Sequence, residues 1–322
     1  ATLLFLVISF LAWYMISIQP VIRSQTPTVS FEVPTGAGLD TIITRLSREK
    51  LIRSRTAFKI TVLKMGIASK LQAGYFQLSP NMTAKEISLA LTKAYAKQVR
   101  VTIPEGLRSE EINQIFTKSF QKVTNSKYSS TEFAKLTRNQ EGKLFPDTYD
   151  FAETATAQDV FDRLSRKHQE IIDSFKLPPE KISRVEVLAS LLEREAANSS
   201  EMPQVAGVIQ KRLDNGWPLQ IDASVQYVMA SKTCKKIDCD WWPKNITTLD
   251  LKISSPYNTY QNKGLPPAPI ANPGRAALTA AAKPEITSAW FYLHDDKGII
   301  HFADTIEDHN RNVCTYLHKD CK

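Results

Sequence analysis

The sequence predicts a mixed α+β chain behind an apolar N-terminal helix, and three observations carry that expectation. Residues 1–18 hold no charge; a strand, a Pro-x-Gly turn and a helix follow one another twice, at 29–46 and 99–116; and the C-terminal half alternates amphipathic helices with proline-rich loops before a strand pair. At 322 residues there is room for two or three domains, and 43% hydrophobic with 23% charged residues is a globular balance that excludes a disordered chain.

In chain order, the first 18 residues just reach across a bilayer core of ~30 Å at ~1.5 Å per residue, so residues 1–19 are expected to form a single membrane anchor. Ser17-Ile18-Gln19-Pro20-Val21 is a poor small-x-small cleavage site, which favours an uncleaved anchor over a signal peptide. Residues 20–28, with Pro20 and Pro27, read as an extended linker. A small α+β domain is expected over 29–140. Its elements are a strand at 29–34, a helix with Leu39, Ile42, Ile43 and Leu46 on one face, a helix near 56–64, a strand at 74–78 and a helix introduced by Thr83. The second repeat supplies a strand at 99–104 and a helix carrying Ile112, Ile115 and Phe116, and the polar stretch 120–140 reads as a surface connection. Short strand-helix-helix-strand modules of this pattern resemble LysM domains, which bind glycan chains.

The larger α+β domain, 141–322, opens on the aromatic-rich run Gly142–Phe151 and a helix at 157–174 that Pro178-Pro179 closes. The next helix is expected to begin at a Ser183-x-x-Glu186 capping box and to run to Ala196. At ~100° per residue, Val185, Leu188, Ala189, Leu192 and Ala196 form its apolar stripe; Glu195 projects between Leu188 and Leu191, while Glu193 leans toward the polar face. A carboxyl among apolar neighbours has its charged form disfavoured, which keeps a general acid protonated near neutral pH. A helix at 202–213 follows. Gln220, Asp222, Ser224 and Gln226 then alternate, and in an extended segment they would share a face able to hydrogen-bond sugar hydroxyls. Tyr257-Asn258-Thr259-Tyr260 offers flat aromatic faces with hydroxyl handles, and the prolines of 264–274 fix a rigid loop. An Ala-rich helix to 282 and a strand pair at 290–293 and 299–303 complete the chain.

Cys234 and Cys239 flank a short insert, and Cys314 and Cys321 bracket the tail; two local disulfides would suit an oxidising compartment, although four cysteines allow three pairings. No cysteine spacing is C-x₂-C and no His-Cys cluster accompanies them, so no metal or other cofactor is expected. A net charge of +8 favours polyanionic surfaces such as phospholipid head groups or acidic wall polymers; nucleic acid is not an expected partner.

Four runs, Ala189–Glu195, Leu219–Asp222, Tyr257–Tyr260 and Gly264–Pro267, stand in the order found in the MltG (YceG-like) endolytic murein transglycosylases, and Leu144–Tyr149 matches a further signature. The resemblance covers about residues 28 to 317. It implies a membrane anchor and LysM-like domain ahead of a catalytic domain in the periplasm, held at the inner membrane, and it implies that Glu195, the second acid of the Glu-Arg-Glu run, is the catalytic acid. Glu193 and Asp222 are possible supporting groups. Gln220, Ser224, Gln226, Tyr257, Asn258, Thr259, Tyr260, Leu265, Pro266 and Pro267 are the expected substrate-binding residues. Ala268 stands where the family usually has Gly, and the Cys234–Cys239 insert departs from its pattern.

The implied reaction is cleavage of the β-1,4 bond between N-acetylmuramic acid and N-acetylglucosamine inside nascent peptidoglycan strands, leaving 1,6-anhydro ends and needing no second catalytic carboxylate. Peptidoglycan synthases are conceivable partners. The rival readings are a hydrolytic muramidase using Asp222, a noncatalytic wall-binding scaffold, and a metal hydrolase built on His294, His301 and His309, whose spacings match no short metal-ligand motif.

Overall fold

The computed structural model describes residues 2–24, 27–34, 36–93, 98–236 and 238–318. The chain divides into two compact units, Ala1–Gln98 and Val99–Lys322. The division falls ahead of the 140/141 position expected from sequence, and the second strand, Pro-x-Gly and helix repeat packs with the C-terminal unit.

The first unit contains α1 (Thr2–Ser17), β1 (Val29–Val33), α2 (Leu39–Arg48), α3 (Arg55–Lys64), β2 (Gly74–Leu78) and α4 (Ala84–Ala90). β1 and β2 pair antiparallel with Phe31 opposite Phe76. Alternation turns Phe31, Val33, Phe76 and Leu78 inward, onto Ile42, Ile43 and Leu46 of α2 and Phe58 and Val62 of α3. Ser54 caps α3 and a Thr83–Glu86 capping box starts α4. α1 has 16 residues, a length of about 24 Å against the ~30 Å of a bilayer core. Among the described residues no helix is long and apolar enough to cross a membrane.

The second unit begins at β3 (Gln98–Thr102), followed by α5 (Ser109–Phe120), α6 (Ser130–Leu136), β4 (Thr148–Ala152), α7 (Ala157–Ser174), α8 (Pro179–Glu195), α9 (Met202–Asp214), α10 (Asp222–Thr233), α11 (Arg275–Ala282), β5 (Phe291–His294), β6 (Ile300–Ala303) and α12 (Ile306–Val313). β3 pairs with β4 and β5 with β6, the latter antiparallel about the turn at 295–298. One core gathers Phe116, Phe120, Phe133 and Phe151 under β3, β4 and α5–α7. Another gathers Leu188, Leu191 and Leu192 of α8 with Val205 and Ile209 of α9 and Leu278 of α11. Each such buried Leu contributes ~1.5–3 kcal/mol of transfer free energy.

Four expectations change. α8 begins a turn earlier than Ser183, with Pro179 at the first helical position, where a missing N–H costs nothing; Glu186 lies buried with an oxygen 3.3 Å from His168 Nε2 instead of closing a capping box. α8 has no polar face from 185 to 192, because α9, α10 and α11 pack around it. Residues 222–226 are helical, not extended: a run that alternates also places Ala223, Val225 and Val228 inward at helical spacing, and Asp222 sits in the first turn, where the helix dipole favours an acid. The connection 120–140 contains a full helix, α6, anchored by Phe133 and capped by Ser129. Cys234 and Cys239 form a disulfide, and Cys314 is disulfide-bonded as well, while Cys321 lies outside the described residues.

Candidate functional site

Glu195 is the last residue of α8; Ala196 turns the backbone to an extended conformation (φ −82°, ψ 136°), so the carboxyl leaves the helix where the packed bundle ends. Its Oε2 accepts a hydrogen bond of 2.8 Å from the Tyr292 hydroxyl on β5. The residue keeps partial solvent access, yet the loss of hydration around its carboxyl dominates and raises its pKa, against the opposing hydrogen bond from Tyr292; the negative charge of Asp222 pushes the same way, while His294 and Arg212 oppose it. The negative end of the α8 dipole adds to the disfavour of a carboxylate there. Burial and Glu195 in turn hold the Tyr292 phenol well above its ordinary range, so it stays a donor.

Arg212 supplies the nearby cation. Its Nε and Nη2 donate to the Trp290 carbonyl at 2.9 and 2.7 Å, and Nη1 to the Leu219 carbonyl at 2.7 Å, which joins α9, the 217–221 turn and β5 around Glu195. Asp222 is exposed and accepts a 2.6 Å bond from the Tyr260 hydroxyl, whose pKa is raised first by burial and then by that bond. Gln220 is exposed beside it with φ +53°, a left-handed conformation that costs a non-glycine residue energy. Its backbone is held by a 3.2 Å bond from Gln220 N to the Thr259 carbonyl.

The expected sugar-holding residues therefore divide. Asp222 and Tyr260 lie near Glu195, and Gln220 is exposed two residues before Asp222. Ser224, Asn258 and Thr259 are buried and internally bonded: Ser224 and Thr259 hydroxyls lie 2.9 Å apart, and Asn258 Nδ2 donates to the carbonyls of Leu251 and Ile253. They fix the loop onto the start of α10. Leu265 packs against the α8 core and Pro266 is buried. The Tyr257 ring packs tilted against Tyr227, centroids 5.0 Å apart, and, with Pro267, lines a cleft of about 820 Å³ that also contains Glu141 and Trp241 and does not include Glu195. The convergence of acid, phenol and guanidinium lies outside that cleft, at Glu195, and makes that position the candidate site. Gln226 is half-buried on α10.

Glu193 points elsewhere. Its Oε2 accepts from Gly274 N at 2.9 Å, at the start of α11, and burial, opposed by that bond and supported by Glu105, raises its pKa to about 7. A Cβ on Gly106 would come within 3.1 Å of Glu193 Cγ, so the acid is wedged between the 104–107 turn and α11. Arg194, between the two acids, lies over the Trp242 ring at 4.0 Å. The histidines also separate: His294 meets Glu201 at 2.9 Å, His301 meets Asp295 at 3.2 Å, and His309 stacks on Phe291. Among the described residues no group of three or more His, Cys, Asp or Glu is placed to hold a metal ion. Sequence reasoning missed Arg212 and Tyr292 as neighbours of Glu195; nothing in a helical Arg or a strand Tyr marks such a role before the hairpin folds back.

A sequence model of the YceG-like family matches residues 31–315. The chain is 29% identical over 329 residues to an endolytic murein transglycosylase of Bacillus subtilis (strain 168), covering 93% of this chain and 88% of the relative. It is 24% identical over 339 residues to an endolytic murein transglycosylase of Streptococcus pneumoniae serotype 2 (strain D39 / NCTC 7466), covering 94% of this chain but spanning 60% of that longer relative. A 2.6 Å crystal structure of a yceG-like protein from Listeria monocytogenes matches with a TM-score of 0.56 at 26% identity, over 89% of this chain and 99% of that one.

Proposed function

This chain belongs to the YceG-like family, and from that premise we propose that it is an endolytic peptidoglycan lytic transglycosylase in which Glu195 acts first as acid and then as base. The observation that carries the reading is the half-sheltered Glu195 carboxyl, held by Tyr292 and titrating above the ordinary carboxylate range. Tyr292 occupies Oε2, which leaves Oε1 to carry the proton. That proton passes to the glycosidic oxygen as its bond to the muramic anomeric carbon breaks. The resulting carboxylate takes the proton of the muramic 6-hydroxyl while that oxygen attacks the same carbon. The anhydro ring closes and Glu195 is protonated again. The nucleophile belongs to the substrate, so the second carboxylate of an ordinary glycosidase pair has no required part. Asp222, tied to Tyr260, is suited to stabilise developing positive charge or to orient the sugar.

The proximity of Asp222 favours one rival, a muramidase in which it activates water. Mass spectrometry of products from purified glycan strands separates the two: anhydro-muramic ends support the transglycosylase, and hydrated reducing ends support the muramidase. The disulfide Cys234–Cys239 supports a periplasmic position for the second unit. The exposed Phe5, Leu6, Ile8 and Leu11 of α1 support attachment at the inner membrane. In the first unit, the order β1-α2-α3-β2 with an antiparallel pair supports a LysM-like role in holding glycan. Nascent strands as substrate would place peptidoglycan synthases among the partners.

A further inference from the structure

Trp217 is a large apolar side chain left 42% exposed, in the turn after Gly216. It is not a loosely attached one. Its ring centroid lies 4.5 Å from that of Trp290 and 6.0 Å from that of Phe291. Lys211 Nζ lies over the Trp290 ring, 4.4 Å from its centroid, so Trp290 is itself packed in place beside Trp217. The turn is closed by a 2.8 Å bond from Trp217 N to the Arg212 carbonyl. Trp217 thus keeps part of its ring surface open to water while Trp290 and Phe291 pack against the rest of the side chain.

Its position relative to Glu195 is fixed by short stretches of backbone. Trp290 precedes Tyr292 by two residues, about 7 Å of extended chain, and the Tyr292 hydroxyl is bonded to Glu195. The segment from Trp217 leads through exposed Gln220 to Asp222. Arg212 clamps both segments through the carbonyls of Trp290 and Leu219 while its charge acts on Glu195. The aromatic pair is thus part of the same frame as the acid.

We propose that Trp217, backed by Trp290, is a sugar-binding platform that stacks a pyranose ring of the glycan strand outside the bond being cut, with exposed Gln220, three residues further along the chain, offering its amide to a hydroxyl or N-acetyl group. The proposal rests on the transglycosylase reading and deepens it. A pyranose presents one face of C–H groups that suits an aromatic ring, with hydroxyls at its edge that suit an amide. An uncharged ligand face also matches a platform whose cations, Lys211 and Arg212, are turned to its backing and its carbonyls.

The test is isothermal titration of the full chain carrying Glu195→Gln with soluble, peptide-free glycan strands, compared with the same protein carrying Trp217→Ala, Trp217→Gln or Trp217→Tyr. The expected result is a Kd weaker by about three- to tenfold for the Ala and Gln variants and close to the parent for Tyr, which keeps a ring, with thermal midpoints unchanged. Equal Kd values in parent, Ala and Gln variants would overturn the platform, as would a parent that does not bind peptide-free strands. If Trp217→Ala lowers the thermal midpoint, the Gln and Tyr pair decides: equal weakening in both would also overturn it. The underlying reading fails separately, through the absence of anhydro ends in products of the unmodified protein.

Discussion

Replacing Tyr292 by Phe removes the hydrogen bond that its hydroxyl makes to the Glu195 carboxyl, at 2.8 Å, and leaves the ring in place. That bond favours the carboxylate and so opposes the burial that raises the Glu195 pKa. A hydrogen bond to a charged group is worth ~1.5–3 kcal/mol, and a site with partial solvent access belongs at the lower end. At ~1.4 kcal/mol per pH unit, its loss moves the titration of Glu195 upward by about one unit. Because the acid must start protonated, the alkaline limb of kcat/KM for glycan-strand cleavage, which reports the free enzyme, moves to higher pH by about one unit in Tyr292→Phe. The plateau falls by about tenfold, because the carboxyl loses the contact that orients it. The assay is initial-rate release of anhydro-muropeptides between pH 5 and 9. A limb that stays in place, or moves to lower pH, would refute the reasoning that Tyr292 holds the catalytic carboxyl.

Other consequences concern stability. Glu141, half-buried with Oε1 2.6 Å from Asn272 Nδ2, has its pKa raised to about 8 by the loss of hydration around its carboxyl. The folded protein therefore keeps a proton that the unfolded chain has released above about pH 4.3, so stability declines as pH rises from there to about 8. Differential scanning calorimetry across that range is expected to show a flatter profile for Glu141→Gln than for the parent. Gly207→Ala directs a Cβ into the Glu285 backbone carbonyl beside α9, and because backbone cannot step aside it costs ~1–3 kcal/mol or more in urea unfolding. Leu188→Ala, at a site 1% exposed in the α8 core, costs ~2–5 kcal/mol by the same measurement.

Elements set by local periodicity and punctuation were legible in the sequence. The expected strand at 74–78, the helix at 157–174 ahead of Pro178-Pro179 and the helix at 202–213 correspond to β2, α7 and α9. Glu195 was legible as well, as a carboxyl on a strongly apolar helix. Three things were not. The alternation at 219–227 fits two periods, and only packing against α8 selects the helical one. From 185 to 192 α8 is covered on every side, which no single-helix pattern reveals, and just beyond that stretch Glu193 proves half-buried with a raised pKa instead of facing solvent. Ser224, Asn258 and Thr259 look like a polar binding row but are spent on one another and on the carbonyls of Leu251 and Ile253, because buried polar groups without water must find partners inside the fold. Arg212 and Tyr292 act on Glu195 from 17 and 97 residues away in sequence, separations that only the fold closes, through α9 for the first and β5 for the second.

Two acids two residues apart, both titrating high, make the assignment of the chemistry to Glu195 the central claim. Mass spectrometry of glycan products from the unmodified protein, Glu193→Gln and Glu195→Gln, side by side on the same purified strands, tests it most directly. The account predicts anhydro ends from the unmodified protein, a reduced but persistent yield of the same ends from Glu193→Gln, and none from a folded Glu195→Gln. Anhydro ends at the full rate from Glu195→Gln, with their loss in a folded Glu193→Gln, would contradict it.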